Sequence, residues 1–166
     1  MSLAQRIARP LLAATFVTGG VEALRNPKPK VPAAEDVAPP VAQPIPFLPD
    51  DTEQLVKIDA GVKIVAGLML ATGRLPRLAA LALCGSLVPT TLAGHRFWEE
   101  EDPASRGEQQ IHFLKNVGLL GGLLFAALDT GGRPSVGWRA RQAAQNTRRG
   151  AQRQAKSARR AALPSN

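Results

Sequence analysis

The sequence contains no tyrosine and a single cysteine, Cys84, in 166 residues. One thiol cannot form an intramolecular disulfide or a CxxC dithiol, so the chain carries no redox thiol pair of its own. Aromatic residues make up only 4% of the chain, which is low for the core of a water-soluble domain of this length. No P-loop, dinucleotide-binding fingerprint, metal-ligand spacing or Ser-His-Asp pattern occurs. The residues therefore indicate no self-contained soluble enzyme, no catalytic residue and no bound metal.

The apolar residues are collected in four blocks of 18 or 19 residues, at 7–24, 55–72, 75–93 and 111–128. As α-helices at about 1.5 Å per residue, such blocks are just long enough to cross a bilayer. The second and fourth blocks carry charged or polar residues, which leaves a soluble helical bundle as the alternative. Parts of both blocks are apolar on every side, however, whereas helices of a soluble bundle have a polar outer face. The sequence thus predicts an all-α integral membrane four-helix bundle.

The connections predict how this bundle lies in the membrane. Residues 26–54 contain eight prolines, which predicts an extended external loop with polyproline character. Its apolar patch around Phe47 is suited to the membrane surface, as are Phe97 and Trp98 after the third span. Lys and Arg collect before the first span, between the second and third, and after the fourth. The positive-inside rule then places both chain ends in the cytoplasm. We expect the chain to be a multi-pass protein of the inner (plasma) membrane.

Two further features concern the chain ends. Nine of the 21 basic residues lie between Arg133 and Arg160, where no acid occurs. We expect two parts, a transmembrane domain at 1–132 and a basic cytoplasmic tail at 133–166, flexible or helical, that contacts anionic lipid. Nucleic acid is the less favoured partner, because no aromatic platform accompanies the arginines. The first span could alternatively be a signal peptide cleaved after Ala23.

Polar residues within the predicted spans form the candidate site. On the predicted topology they gather toward the outer leaflet. They are Glu22, Asp59, Lys63, His112, Lys115 and Asn116, together with His95, which directly follows the third span. Asp59 and Lys63 are spaced i,i+4 and can pair on one helix face. Charged groups at membrane depth are candidates for functional sites. A pocket of this kind suits a quinone headgroup or a small anion; the alternative is a structural ion-pair clasp between helices.

Glycines predict where the helices approach closely. Gly118 and Gly122 form a GxxxG pair with Gly121 beside them, and Gly67 forms a small-xxx-small pair with Ala71. Such residues let helix backbones come together in lipid, within one chain or in a homo-oligomer.

The chain resembles the DoxX family of small four-helix membrane proteins, in particular its actinobacterial members. The resemblance rests on segments within residues 6–130, including AGHRFWE from Ala93 and FLKNVGLLGG from Phe113. It implies a subunit related to the small subunit of thiosulfate:quinone oxidoreductase, in membrane redox complexes that can include superoxide dismutase and a sulfurtransferase. It implies no agreed catalytic residue. Two functions follow: a redox-linked, quinone-contacting membrane subunit, or a non-catalytic scaffold that recruits partners through its basic tail.

The topology is directly testable. A reporter fused after Asn166 should read cytoplasmic, and one inserted at Ala42 should read extracytoplasmic, because the basic loops alternate with the acidic ones. A cytoplasmic signal at Ala42 would overturn the predicted orientation.

Overall fold

A computed structural model describes residues 3–129 and 141–148, and these residues form helices and no strand. The helices are α1 (Leu3–Arg25), α2 (Val31–Ala34), α3 (Ala38–Ala42), α4 (Thr52–Thr72), α5 (Pro76–Gly94) and α6 (Pro103–Leu128), with a 3-10 turn at Lys28–Lys30. Residues 141–148 are helical and belong to a second unit that begins at Thr130. The rest of the basic tail predicted at 133–166 lies outside the described residues.

The turn between α4 and α5 is built for a sharp reversal. Gly73 adopts the left-handed conformation at φ 71°, and the Arg74 N–H donates to the Met69 carbonyl. Glycine suits this position because a side chain there is strained. Pro76 then occupies the first turn of α5, where its missing N–H costs no helical hydrogen bond. This turn makes α4 and α5 an antiparallel hairpin, as the short connection predicts.

Helix α6 is longer than the apolar block predicts, beginning at Pro103 rather than at residue 111. Its start is fixed by Asp102, whose carboxylate accepts a hydrogen bond from the Ser105 backbone N–H at 2.9 Å. This bond lowers the pKa of the Asp102 carboxyl. Hydropathy alone misses the first two turns because they are polar, whereas the Asp-Pro pair marks the helix start.

The predicted extended conformation of residues 26–54 is wrong. This segment contains the 3-10 turn, α2 and α3, each with proline in its first turn. Proline interrupts a helix interior but is tolerated at a helix start, so closely spaced prolines permit a series of short helices. Both α2 and α3 contact α4 and α5. The segment is therefore folded against the helices that follow it.

The four long helices contact one another in chain order, α1 with α4, α4 with α5, and α5 with α6, while α1 and α6 touch only sparsely. Glycines allow the closest of these approaches. A Cβ added at Gly20 would lie 2.8 Å from the Ala60 carbonyl oxygen, and one at Gly67 would lie 2.6 Å from Val17 Cγ2. Close packing by small residues is the usual means of joining helices in lipid. Gly67 thus has the packing role expected for it, with α1 as its neighbour.

The buried apolar core lies toward one end of the long helices. We call this the Arg end, defined by Arg9, Arg77 and Asp129; the opposite end, defined by His95 and His112, is the His end. All four long helices contribute to one buried cluster, made of Ala13, Phe16, Ala66, Leu70, Ala79, Ala80, Leu83, Leu87, Leu123 and Ala126. Large apolar side chains outside this cluster face outward, including Leu11, Val65, Leu81 and Phe125. Such an apolar exterior is suited to lipid.

Among the described residues, three helices are long and apolar enough to cross a membrane: α1, α5 and α6. The fourth predicted span, α4, has 21 residues but does not qualify by the same measure. Lys57, Asp59 and Lys63 all lie within its apolar block, and their charges lower its hydropathy. The multi-pass membrane character of the chain therefore rests on three helices.

The packing prediction for the α6 glycines is only partly right. A Cβ at Gly122 would lie 3.4 Å from Leu12 of α1, which is a helix contact. Gly118 and Gly121 are exposed, and a Cβ at either would meet nothing within 4 Å. Because α6 packs mainly against α5, its GxxxG face is not used as a whole within this chain.

Paired substitutions test the glycine contact between α1 and α4. Gly20→Ala should lower the unfolding temperature in detergent, since the new methyl group meets the Ala60 backbone, and overpacking typically costs about 1 to 3 kcal/mol. Gly118→Ala is the matched control and should be neutral or stabilising by up to about 1 kcal/mol, because alanine is the better helix former. Equal unfolding temperatures for the two variants would contradict the contact.

Candidate functional site

An ion pair links two positions of α4 and is held by α5. Lys63 Nζ lies 2.6 Å from Asp59 Oδ2, and the side chains are 15% and 28% exposed. The Ser86 hydroxyl of α5 donates to the other carboxylate oxygen of Asp59. The i,i+4 spacing places acid and base on one helix face, and Ser86 attaches that pair to the neighbouring helix. The expected pairing of Asp59 with Lys63 is present, in the geometry of a structural clasp.

A second set of polar contacts joins α5 to α6. Asn116 Nδ2 donates to the Thr91 hydroxyl at 3.1 Å, and that hydroxyl donates to the Leu87 carbonyl at 2.7 Å. Thr90 likewise donates to the Ser86 carbonyl at 2.6 Å. These bonds lie beside Pro89, which removes one backbone donor from the helix. The threonines therefore keep the proline-containing turn of α5 hydrogen-bonded.

A third group of polar side chains lies at the His end. The rings of His95 and His112 are stacked, with centroids 5.1 Å apart and planes 13° from parallel. His95 Nδ1 lies 2.7 Å from Gln109 Oε1, and Lys115 Nζ lies 3.0 Å from His112 Nδ1. Glu108 Oε1 is 3.9 Å from His112 Nε2. These five side chains, from the end of α5 and one side of α6, are the His cluster.

Hydrogen-bonding partners assign the proton positions in the His cluster. An amide oxygen only accepts, so His95 carries its proton on Nδ1, and its Nε2 is an acceptor when the ring is neutral. An ammonium group only donates, so the neutral His112 ring carries its proton on Nε2. The cluster thus combines a cation, two proton-transfer groups and a carboxylate. His112 and Lys115 are also partly open to the surroundings, with 38% of the His112 side chain exposed.

The predicted site residues do not form one pocket. Ser86 and Thr91 are five residues apart, so they lie about 140° apart around α5 at 100° per residue. Asp59 and Lys63 accordingly face one side of α5, while Asn116 and the His cluster face another. Glu22 joins neither group, because it is exposed and pairs with Lys30 at 2.7 Å. The structure thus places the predicted site residues in two groups, with α5 between them.

Sequence reasoning missed the polar contacts at the Arg end. Arg9 is buried, and its Nη2 lies 3.2 Å from Asp129 Oδ2, directly after α6. Gln5 Nε2 donates to the same oxygen at 2.8 Å, and Arg77 Nε donates to the Asp129 carbonyl at 3.0 Å. The signal available was a lone acid among the basic residues predicted at this end. The positive-inside rule gives such an acid little weight, and so it was overlooked.

Two surface depressions are also present, and neither is lined by the clasp or the His cluster. One, of about 380 Å³, lies between the α1 end and the α4 start near Lys28 and Lys57. The other, of about 280 Å³, lies near Asp36, Arg96 and Glu99. In the part of the chain that is described, no group of three or more His, Cys, Asp or Glu side chains could hold a metal ion.

Comparison with models of known protein families identifies the family of this chain. The DoxX family model matches residues 4–96, which is more than half of the chain. The chain belongs to the DoxX family. Searches of curated proteins and of solved structures found no match. The DoxX match covers α1, α4 and α5 and ends at Arg96, so the FLKNVGLLGG segment of α6 lies outside it.

This boundary divides the candidate residues of the DoxX protein. Asp59, Lys63, Ser86 and His95 lie within the family match, whereas the α6 contribution to the His cluster follows it. Membership in the family therefore bears on the clasp and on one histidine. The remainder of the His cluster is known from its geometry alone.

A double-mutant cycle tests the clasp. Asp59→Ala leaves Lys63 largely buried without its partner, and breaking a buried pair costs roughly 3 to 5 kcal/mol, less where solvent reaches it. The double change Asp59→Ala with Lys63→Ala should lower the unfolding temperature in detergent less than Asp59→Ala does. Additive losses would show that the two side chains are not coupled.

Proposed function

We propose that this DoxX protein is a redox-linked subunit of the inner (plasma) membrane, with both chain ends cytoplasmic, that contacts a quinone at the His cluster. The proposal is based on one observation. On α6, exposed Lys115 and partly exposed His112 lie beside the exposed apolar side chains of Ile111 and Leu114. A lipid-soluble carbonyl compound would meet polar donors and an apolar surface there together. Sites that bind such ligands combine mostly apolar walls with a few placed polar groups.

The proposed membrane placement agrees with the length of α5. From Arg77 to His95 the helix rises about 27 Å at 1.5 Å per residue, close to the hydrocarbon thickness of about 30 Å. The Arg end and the His end would then lie near opposite membrane surfaces. Lys115 lies one turn inside the His end, and its ammonium reaches back toward His112. This is the direction in which a lysine extends to bring its charge to the interface.

The donor chemistry of the cluster fits a quinone headgroup. Quinones accept two electrons and two protons, and their carbonyl oxygens accept hydrogen bonds. Lys115 Nζ and His112 Nε2 are the donors available to such an oxygen. The stacked His95 ring packs against His112 and helps to hold it beside Lys115. Electrons would come from a partner protein of a membrane redox complex, which the family resemblance implies can include superoxide dismutase and a sulfurtransferase.

A non-catalytic anchor is the second candidate, and a different observation favours it. Within residues 3–129 and 141–148, no buried side-chain nitrogen or oxygen lacks a hydrogen-bond partner. Asp59, Lys63 and Ser86 satisfy one another, as structural polar groups in a membrane do. On this view the helices form a scaffold, alone or as a homo-oligomer, and the basic tail recruits a partner. The two candidates differ in whether the His cluster holds a ligand.

Lys115→Met provides the test. The side chain is exposed and contacts His112, so its loss should leave the unfolding temperature in detergent nearly unchanged. Quinone that co-purifies with the unmutated protein, measured by mass spectrometry, and binding of an added short-chain quinone should both be lost. Lys57→Met is the matched control, because Lys57 is also exposed and pairs with Glu53 on its own helix.

Two results would refute the quinone proposal. One is an unmutated protein that neither carries quinone nor binds the short-chain compound. The other is Lys115→Met with unchanged quinone binding. Either result leaves the anchor as the function to pursue, and isolation of the protein with its partner complex becomes the next measurement.

A further inference from the structure

The connection between α3 and α4 presents an aromatic side chain at the tip of a tight turn. The Leu48 N–H donates to the Ile45 carbonyl at 3.1 Å, which closes a four-residue turn. Pro46 holds the second position, where its fixed φ favours a turn. Phe47 occupies the third position and is 86% exposed, while Ile45 and Leu48 are half-buried. The turn is thus held to the protein by its two ends, and Phe47 projects from it.

This turn lies at the His end of the helices. It follows α3, which contacts α4 and α5, and it precedes the first residue of α4 by only a few positions. The α4 start, the α5 end and His112 of α6 are all at this end. A second aromatic group lies here as well, since the rings of Phe97, Trp98 and Phe113 pack edge to face with centroids 5.2 to 5.9 Å apart. Trp98 is itself 48% exposed.

We propose that Phe47 inserts into the lipid headgroup region at the His end and is a second membrane anchor in addition to Trp98. An almost fully exposed phenylalanine is unfavourable in water and favourable at a membrane interface. Residues 37–49 carry no charge that would have to enter the interface with it. Two acids, Asp50 and Asp51, follow this stretch. The Asp51 carboxylate caps α4 by accepting a hydrogen bond from the Glu53 N–H at 3.1 Å.

The occupant is lipid rather than a protein because the apolar exterior of the helices continues to this end. Exposed Ile58 and Val62 of α4 and exposed Val88 and Leu92 of α5 belong to the two helices that the α3 segment contacts. A bilayer that covers these residues brings its headgroups to the level of the turn. The proposal therefore depends on the helices crossing a membrane and is independent of quinone binding.

Fluorescence depth measurement tests the anchor. The protein has two tryptophans, Trp98 and Trp138, and replacing both by phenylalanine allows Phe47→Trp to report alone. In nanodiscs of phosphatidylcholine brominated near the headgroup, emission from position 47 should lose intensity relative to unbrominated lipid. It should also be shifted to the blue and resist quenching by aqueous iodide. Glu35→Trp in the same background is the control, because Glu35 is exposed on the same segment at the end of α2.

The results separate lipid from other surroundings. Position 35 should be quenched by iodide and unaffected by brominated lipid, which shows that the segment as a whole is not submerged. Strong iodide quenching at position 47 with no effect of bromine would overturn the proposal. Protection from both quenchers would also overturn it, since it would indicate a protein neighbour.

If the tryptophan background fails to fold, a spin label supplies the same information. Phe47→Cys with Cys84→Ala leaves a single thiol for labelling, in a protein that keeps Trp98 and Trp138. The label should collide more often with oxygen, which concentrates in lipid, than with a water-soluble nickel complex. The opposite preference would refute insertion.

Discussion

The contact between Arg9 and Asp129 closes the set of long helices. Neighbouring helices otherwise follow chain order, and α1 and α6 touch only sparsely, so this pair joins the first helix to the last. The Arg9 side chain is 7% exposed, and a guanidinium at such burial is tolerated only when its charge and donors are matched. Gln5 adds a second bond to the same carboxylate, and Arg77 binds the Asp129 carbonyl. One acidic residue thereby joins the ends of α1, α5 and α6 at the Arg end.

The long helices use different kinds of contact at their two ends. Toward the Arg end, alanines and leucines from all four helices fill the interior, and Leu70, Leu83 and Leu123 are fully buried. Toward the His end, α5 is held instead by hydrogen bonds, through Ser86 to α4 and through Thr91 to α6. Apolar packing is nondirectional, whereas hydrogen bonds fix both orientation and depth. The polar end can therefore hold proton-transfer groups in a defined geometry while the apolar end supplies much of the buried surface.

Periodicity and hydropathy predicted the all-helical class and located each long helix, because a run of 18 apolar residues has few other stable arrangements. They failed where short-range chemistry decides the outcome. The prolines of residues 26–54 start short helices, and polar residues 103–110 extend α6, since caps and first turns depend on single residues. The resemblance to the DoxX family, noted from the sequence, is confirmed by the family model over residues 4–96. Spacing predicted the Asp59–Lys63 pair within α4. The contacts between helices could not be predicted, because they require the rotation of α5 that sends Ser86 and Thr91 to different neighbours.

That rotation also explains why the polar residues differ in what they can do. Asp59 has two partners, Lys63 and Ser86, and both are short-range contacts that leave little capacity for a ligand. Lys115 has an exposed ammonium with three donors, and only one of its contacts, to Nδ1 of His112, is needed to hold it in place. An incoming carbonyl oxygen could accept from Lys115 without removing the partner of a buried charge, whereas at Asp59 it would have to displace one. The cost of displacement therefore favours ligand contact at the His end and a structural role for the clasp, even though both carry charge within the same helices.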